Sequence, residues 1–257
     1  MAQKIVFFDI DGTLYDEDKK LPSATKQAIS QLREKGHYVA IATGRAPFLF
    51  ADLREELQID TYVCFNGSYV VVDNKVLSKN VLDQKALEKL TEFSAEKEHP
   101  LVYMGTDDMK SNIEEHPHIE ESMGTLKCYQ PGHDANYHID RDIIQTLLFC
   151  TDKEEKEYVE RFPEFDFVRW HTLSVDVLPA NGSKAVGVEK VIEHLGFNKE
   201  DVYAFGDGLN DIEMLKAVEN SVAMGNGHDE VKSAAKHVTK HVSEDGIYHG
   251  LKMVGLL

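Results

Sequence analysis

Cysteine is scarce in this chain of 257 residues, and the three that occur, Cys64, Cys128 and Cys150, are odd in number and show no Cys-x-x-Cys spacing. With no signal sequence ahead of them they give no disulfide framework, and they are expected to be reduced thiols in a cytoplasmic protein. Basic charge is also in deficit: 28 Lys and Arg stand against 45 Asp and Glu, a formal net charge of −17. Broad attraction to nucleic acid or to anionic lipid is therefore disfavoured, and any anionic ligand must be attracted locally. Long apolar runs are absent. The first one, Ile5 to Phe8, is far short of the roughly 20 residues that a membrane span needs, and no later segment does better. There is no internal repeat and no low-complexity tract, so neither a solenoid nor a disordered tail organises the chain.

What is present begins with Lys4-Ile5-Val6-Phe7-Phe8-Asp9-Ile10-Asp11-Gly12-Thr13, a short apolar strand that delivers two carboxylates into a glycine turn. Residues i and i+2 of an extended chain project to the same side, so Asp9 and Asp11 can address one small volume. Two adjacent negative charges are unfavourable unless a cation or a shared proton compensates, which makes the pair a candidate metal and catalytic site. The competing reading is a polar turn closing a buried strand. A calcium loop is excluded, because Leu14 and Lys20 stand where that pattern needs Gly and Glu.

Strand-length apolar runs then recur with amphipathic segments between them, the pattern of parallel strands joined by helical crossovers. Pro22 and Ser23 open a helix with Ala28, Ile29 and Leu32 inward, closed by Gly36, and His37 to Ala42 follows as a strand ending at Thr43-Gly44-Arg45. A helix with Pro47 in its first turn presents Phe50, Leu53 and Leu57. Tyr62 to Phe65 extends to a turn at Asn66-Gly67, and Asp73-Asn74 sits between apolar runs as a hairpin turn. From Leu82 the character changes. A charged helix from Gln84 to Glu98 and short strands at Leu101 to Met104 and Thr146 to Cys150 suggest a separate α+β module, within which Asn112 to Asp140 carries no clear pattern. Alternation resumes after Pro179, Asn181 and Gly182, with Ser183 capping a helix that ends at Gly196, a strand at Val202 to Phe205, a helix at Asp211 to Val218 and a strand at Ser221 to Met224.

Four polar clusters each follow a strand or open a helix: Asp9 and Asp11, Thr43 and Gly44, Lys184, and Asp207, Asn210 and Asp211. At the carboxyl ends of parallel strands such clusters converge on one crevice. The acids can hold a hard divalent cation through oxygen ligands. Thr43, the Gly44 amide and Asn210 offer donors to an anion, and Lys184 adds a full positive charge. A lysine in a first helical turn opposes the macrodipole by about 0.3–1 kcal/mol, so something anionic should offset it.

Asp9-Ile10-Asp11-Gly12-Thr13, Thr43-Gly44-Arg45, Lys184 and Gly206-Asp207-Gly208-Leu209-Asn210-Asp211, in that order, resemble the four motifs of the haloacid dehalogenase superfamily of phosphatases. Asn66-Gly67 and Glu244-Asp245-Gly246-Ile247 are similar to Cof-type hydrolases of that superfamily, which insert a C2B cap between the second and third motifs. The resemblance implies an α/β fold, with a Rossmann-like parallel-sheet core over residues 1–81 and 183–257 and an inserted α+β cap over 82–182 that sets specificity.

It implies a nucleophile at Asp9 and a general acid and base at Asp11. Magnesium would be held by Asp9, Asp11 through its backbone carbonyl, and Asp207, with Asp211 in support, and the phosphoryl oxygens by Thr43, Gly44, Lys184 and Asn210. The activity implied is Mg²⁺-dependent hydrolysis of a small phosphorylated metabolite, such as a sugar phosphate, through an aspartyl-phosphate. A phosphotransferase or mutase would share the first half-reaction, and a phosphorylatable regulator of the receiver type also combines paired acids, a Thr and a Lys. Arg45 can touch substrate or cap, or pair with a surface acid. No spacing among His116, His118, His133 and His138 matches a zinc site, so they read as polar surface. Trp170 and His171 can line a substrate pocket or anchor a core.

Overall fold

The computed structural model describes residues 2–127 and 129–257, so Cys128 lies outside the described residues. The chain divides into two compact units. One holds residues through Arg45 with Phe50–Ser78 and Ser183–Leu257, and the other holds Ala46–Leu49 and Lys79–Gly182.

The first unit begins with β1 (Ile5–Phe8), all four residues of which are buried. Helix α1 (Ser23–Glu34) buries Ala28, Ile29 and Leu32 on one stripe, and β2 (Tyr38–Ala42) follows. A 3-10 turn over Pro47–Phe50 precedes α2 (Ala51–Leu57), which buries Leu53 and Leu57. Proline fits this first turn because it gives up an amide that no helical carbonyl would accept from. Next come β3 (Tyr62–Cys64), β4 (Tyr69–Val72) and β5 (Lys75–Lys79). The β4–β5 turn is Asp73-Asn74 with φ of +49° and +60°, the two positive values that a type I′ hairpin needs.

The inserted segment supplies α3 (Gln84–Glu96), β6 (Leu101–Met104), β7 (Met109–Ser111), α4 (Pro117–Thr125), β8 (Gly132–His133), β9 (Gln145–Leu148), α5 (Asp152–Arg161), β10 (Phe165–His171) and β11 (Ser174–Pro179). Its sheet runs β10-β11-β9-β6-β7-β8, antiparallel except between β7 and β8. Leu87, Leu90 and Phe93 of α3 and Tyr158 of α5 pack on Leu101, Tyr103, Leu148, Val175 and Val177 of the sheet. Asp83 caps α3 by accepting from the Ala86 amide at 2.9 Å. The patternless stretch Asn112 to Asp140 contains α4 and β8, and β10 was not legible beforehand.

The first unit resumes with α6 (Lys184–Leu195), β12 (Val202–Gly206), α7 (Ile212–Ala217), β13 (Asn220–Ala223), α8 (Asp229–Ala234), β14 (His237–Val238) and α9 (Gly246–Met253). Its eight strands lie in the order β14-β13-β12-β1-β2-β3-β4-β5, parallel from β14 to β3. This is the mixed α/β arrangement expected from the alternation. Because β1 is central, flanked by β12 and β2, the carboxyl ends of the strands that carry Asp9, Thr43 and Asp207 are neighbours. Among the described residues no helix is long and apolar enough to cross a membrane.

Candidate active site

Asp9 follows β1 directly, and its amide donates to the Phe205 carbonyl of β12 at 3.0 Å, so the strand pairing extends to the site itself. The chain then turns sharply: the Gly12 amide donates to Tyr15 O at 2.9 Å, and the Tyr15 amide to Ile10 O at 2.7 Å. Gly12 holds φ +79°, and a Cβ built there would lie 2.1 Å from Asp207 Oδ2. Glycine is required here both for its backbone conformation and to admit that carboxylate. Thr13 Oγ1 donates to the other Asp207 oxygen at 2.9 Å, and Asn226 Nδ2 donates to Asp207 Oδ2 at 3.2 Å and to Gly12 O at 2.7 Å.

Lys184 opens α6 behind Ser183, whose Oγ accepts from the Val186 amide at 3.4 Å. Its side chain is buried, with Nζ donating to Asp9 Oδ1 at 2.6 Å and to Asp211 Oδ1 at 2.7 Å. The anion that should offset a lysine at this helix start is thus a pair of carboxylates. Burial alone would lower the Lys184 pKa, but Asp211 and Asp9 outweigh it and hold the ammonium more firmly protonated than usual. The other Asp211 oxygen accepts the backbone amides of Asp207 and Gly208 at 3.0 and 2.9 Å, which shapes the turn after β12.

Two of the anion donors, the Gly44 backbone and Asn210, gather around Asn66, which the sequence marked as a turn and as part of the Cof-type resemblance but to which it gave no role in the site. Asn66, at φ +48°, accepts from Asn210 Nδ2 at 3.0 Å, and its side chain lies so close to Gly44 that a Cβ there would stand 3.1 Å from it. Asn66 therefore links the second and fourth motifs. Thr43 is buried at the end of β2, its amide bonded to Val63 O at 2.8 Å and its Oγ1 accepting from the Arg45 amide at 3.1 Å. With the acceptor role taken, the hydroxyl hydrogen can be given to a ligand.

Asp11 faces a different environment. Arg45 grips it through two bonds of 2.7 Å, Nε to Oδ2 and Nη2 to Oδ1, and Lys19 Nζ donates to Oδ1 at 2.6 Å. Burial pushes the Asp11 pKa up, but the two cations win and bring it to about 2. The Asp11 carboxylate is thus committed to cations of the chain and is not among the three carboxylates that converge. Asp211, expected in support of the metal, stands with its carboxylate beside those of Asp9 and Asp207. Lys19 and Asn226 were missed beforehand; the Gly225-Asn226-Gly227 break was the only signal for the latter.

Carboxylate oxygens of Asp9, Asp207 and Asp211 lie within 4.8 Å of one another. Burial raises the Asp9 pKa well above the carboxylate range, with Lys184 opposing and the neighbouring acids reinforcing the shift. Burial and the Asp211 charge also push Asp207 up to about 6. One lysine does not neutralise three converging acids, and an all-oxygen donor set with uncompensated negative charge fits a hard divalent cation such as magnesium. Among the histidines, His138 departs from the surface expectation: it is buried and stacks on Tyr103 with centroids 4.6 Å apart. His171 Nδ1 lies 3.0 Å from Ser122 Oγ, and the Trp170 and His171 rings stand 5.8 Å apart, centroid to centroid.

The haloacid dehalogenase-like hydrolase pattern matches residues 6–251. The "Putative phosphatase YkrA" of Bacillus subtilis (strain 168) is 49% identical over 257 residues, covering 100% of both chains. A crystal structure of a hypothetical protein from Geobacillus kaustophilus HTA426 superposes with a TM-score of 0.95 at 54% identity, again over 100% of both chains. The subclass IIB sugar phosphatase BT4131 superposes with a TM-score of 0.88 at 31% identity, over 99% of this chain and 100% of its own. With the ordered motifs drawn into one acidic site, the chain belongs to the haloacid dehalogenase-like hydrolase family.

Proposed function

We propose that the protein is a cytoplasmic, magnesium-dependent phosphatase that hydrolyses a small phosphorylated metabolite, such as a sugar phosphate, through an aspartyl-phosphate on Asp9. The observation that carries this reading is the buried Asp9 carboxylate, held at 2.6 Å by Lys184 beside Asp207 and Asp211, with Asp11 two residues on. Relatives that bear phosphatase names support the reaction class, and the sugar phosphatase BT4131 supports the substrate class.

Asp9 Oδ attacks phosphorus while the bond from phosphorus to the ester oxygen breaks, and Asp11, which Arg45 and Lys19 hold ionised in the free site, takes up a solvent proton when substrate binds and gives it to the departing alkoxide. Water then attacks the same phosphorus, Asp11 takes the water proton, and the bond to Asp9 breaks to release inorganic phosphate. Asp9, Asp207 and the Asp11 backbone carbonyl would hold the metal, with Asp211 orienting its surroundings. When bound, magnesium supplies positive charge to the phosphoryl oxygens as negative charge builds on them. Lys184 orients Asp9 and opposes the burial that disfavours its charge, and with Thr43, the Gly44 amide and Asn210 it holds the remaining phosphoryl oxygens. The inserted unit, residues 82–182, sets which metabolite is accepted.

The test is phosphate release from a panel of metabolite phosphates with water as sole acceptor. Wild type releases phosphate in a magnesium-dependent manner, and Asp9→Asn lowers kcat by at least about 10³, the scale of losing a catalytic group. Full turnover by an Asp9→Asn preparation free of wild type overturns the assignment.

A further inference from the structure

Cations are outnumbered in this chain, yet three of them meet in the one site, and they fall into two groups. Lys184 serves the deep end. Side-chain exposure rises from 0% at Asp211 and 1% at Lys184 through 8% at Asp9 to 33% at Asp11, so the site opens toward Asp11. At that open end stand Lys19, 22% exposed, and Arg45, 10% exposed.

Lys19 is set there by its loop. The Asp16 carboxylate accepts the amides of Asp18 and Lys20, each at 2.9 Å, the Lys19 amide donates to Asp16 O at 3.0 Å, and the Asp16 amide donates to Lys20 O at 3.0 Å. This closed turn carries Lys19 at φ +59°, a left-handed conformation that a residue other than glycine adopts at a cost of roughly 1–2 kcal/mol. The result is an ammonium with one protein partner, Asp11 Oδ1 at 2.6 Å, and two donors without one among the described residues. An unstrained surface lysine would need none of this.

We propose that Lys19 determines specificity by binding an anionic group, a carboxylate or a second phosphoryl group, on the leaving-group part of the substrate. The inference rests on the phosphatase reading of the site. If Asp11 protonates the ester oxygen, the departing alcohol lies beside Asp11, and Lys19, one hydrogen bond further out, faces whatever that alcohol carries. Arg45 donates to both oxygens of the same carboxylate, so the three side chains Asp11, Lys19 and Arg45 together carry one net positive charge although the protein as a whole is strongly negative. A cation on this edge favours an anionic alcohol over a neutral one of the same size and disfavours a cationic one.

The test compares kcat/KM for matched esters: 2-phosphoglycolate against 2-hydroxyethyl phosphate for a carboxylate, fructose 1,6-bisphosphate against fructose 6-phosphate for a second phosphate, and phosphoethanolamine as the cationic control. In the wild type at least one anionic ester is preferred over its neutral partner. Lys19→Met lowers that preference at least about tenfold, the scale of one charge-assisted contact, and Lys19→Arg retains most of it. The pair that responds identifies the anionic group. An equal loss across all esters makes Lys19 only a support for Asp11 and overturns the proposal, as does an unchanged preference. Failure of the wild type to release phosphate from any ester, p-nitrophenyl phosphate included, overturns the phosphatase reading itself.

Discussion

Replacing Lys184 by Met removes one positive charge from between two buried acids, Asp9 and Asp211, while nearly preserving side-chain length. Deleting one partner of a buried ion pair costs about 3–5 kcal/mol, because the other charge is left without compensation. Here two carboxylates lose a partner, at 2.6 and 2.7 Å, but the costs do not simply double. Asp211 keeps two backbone amides on its second oxygen, and Asp9, whose pKa already stands well above the usual range, is relieved by taking up a proton. The expected loss is therefore about 3–5 kcal/mol, a large part of the roughly 5–15 kcal/mol that holds a typical domain folded.

The pH dependence gives the reasoning its sharpest check. Without Lys184 the folded-state pKa of Asp9 rises further, so the folded protein binds a proton that the unfolded chain releases near pH 4, and stability is regained as pH falls. Urea unfolding in the presence of a chelator should show the deficit largest near pH 8 and much smaller near pH 5. Adding Asp211→Asn to the Lys184→Met variant should restore part of the loss, since it removes one of the stranded charges. A deficit below about 1 kcal/mol, or one equal at both pH values, would mean that the three acids are not balanced by this lysine.

Three further outcomes follow from other parts of the structure. Burial pushes the Asp176 carboxyl of β11 up to about 8, so the folded protein retains a proton that the unfolded chain loses near pH 4, and stability falls as pH rises through that window. Asp176→Asn should therefore gain stability over wild type between pH 5.5 and 8.5 by an amount that grows to several kcal/mol, on the order of 1.4 per pH unit; a pH-independent difference refutes this. Gly12→Ala should lower kcat/KM at least about tenfold, because the added methyl group must displace Asp207 from a backbone position that already resists a side chain. Unchanged kinetics would mean that Asp207 has room to move. Magnesium at about 100 times its Kd should stabilise wild type by about 2.7 kcal/mol in a thermal-shift titration and have little effect on Asp207→Asn. An equal shift in both places the ion elsewhere.

Much of the first unit was legible because its parallel strands are buried on both faces and so read as unbroken apolar runs between glycine and proline stops. Ile5–Phe8 and Val202–Gly206 are of this kind, and the Asp73-Asn74 turn announced its hairpin. Strand β10 did not, since Asp166 and Arg169 interrupt it and all but its first residue is only partly buried. The remote clusters were legible as sets of residue types. Their partnerships were not, because Lys19 reaches Asp11 and Asn66 reaches Asn210 through loops whose left-handed backbone leaves no periodic trace. The commitment of the Asp11 carboxylate to Arg45 and Lys19 likewise emerges only from tertiary structure.

The central claim, that Asp9 is the residue phosphorylated, is tested most directly by trapping the intermediate. p-Nitrophenol leaves without help from an acid, so Asp11→Asn should still form the phosphoenzyme from p-nitrophenyl phosphate and lack the base that activates water for its removal. Rapid acid quench of that variant followed by peptide mass spectrometry should place an acyl phosphate on Asp9. Label on another residue, or a p-nitrophenol burst with Asp9 unmodified, would contradict the account.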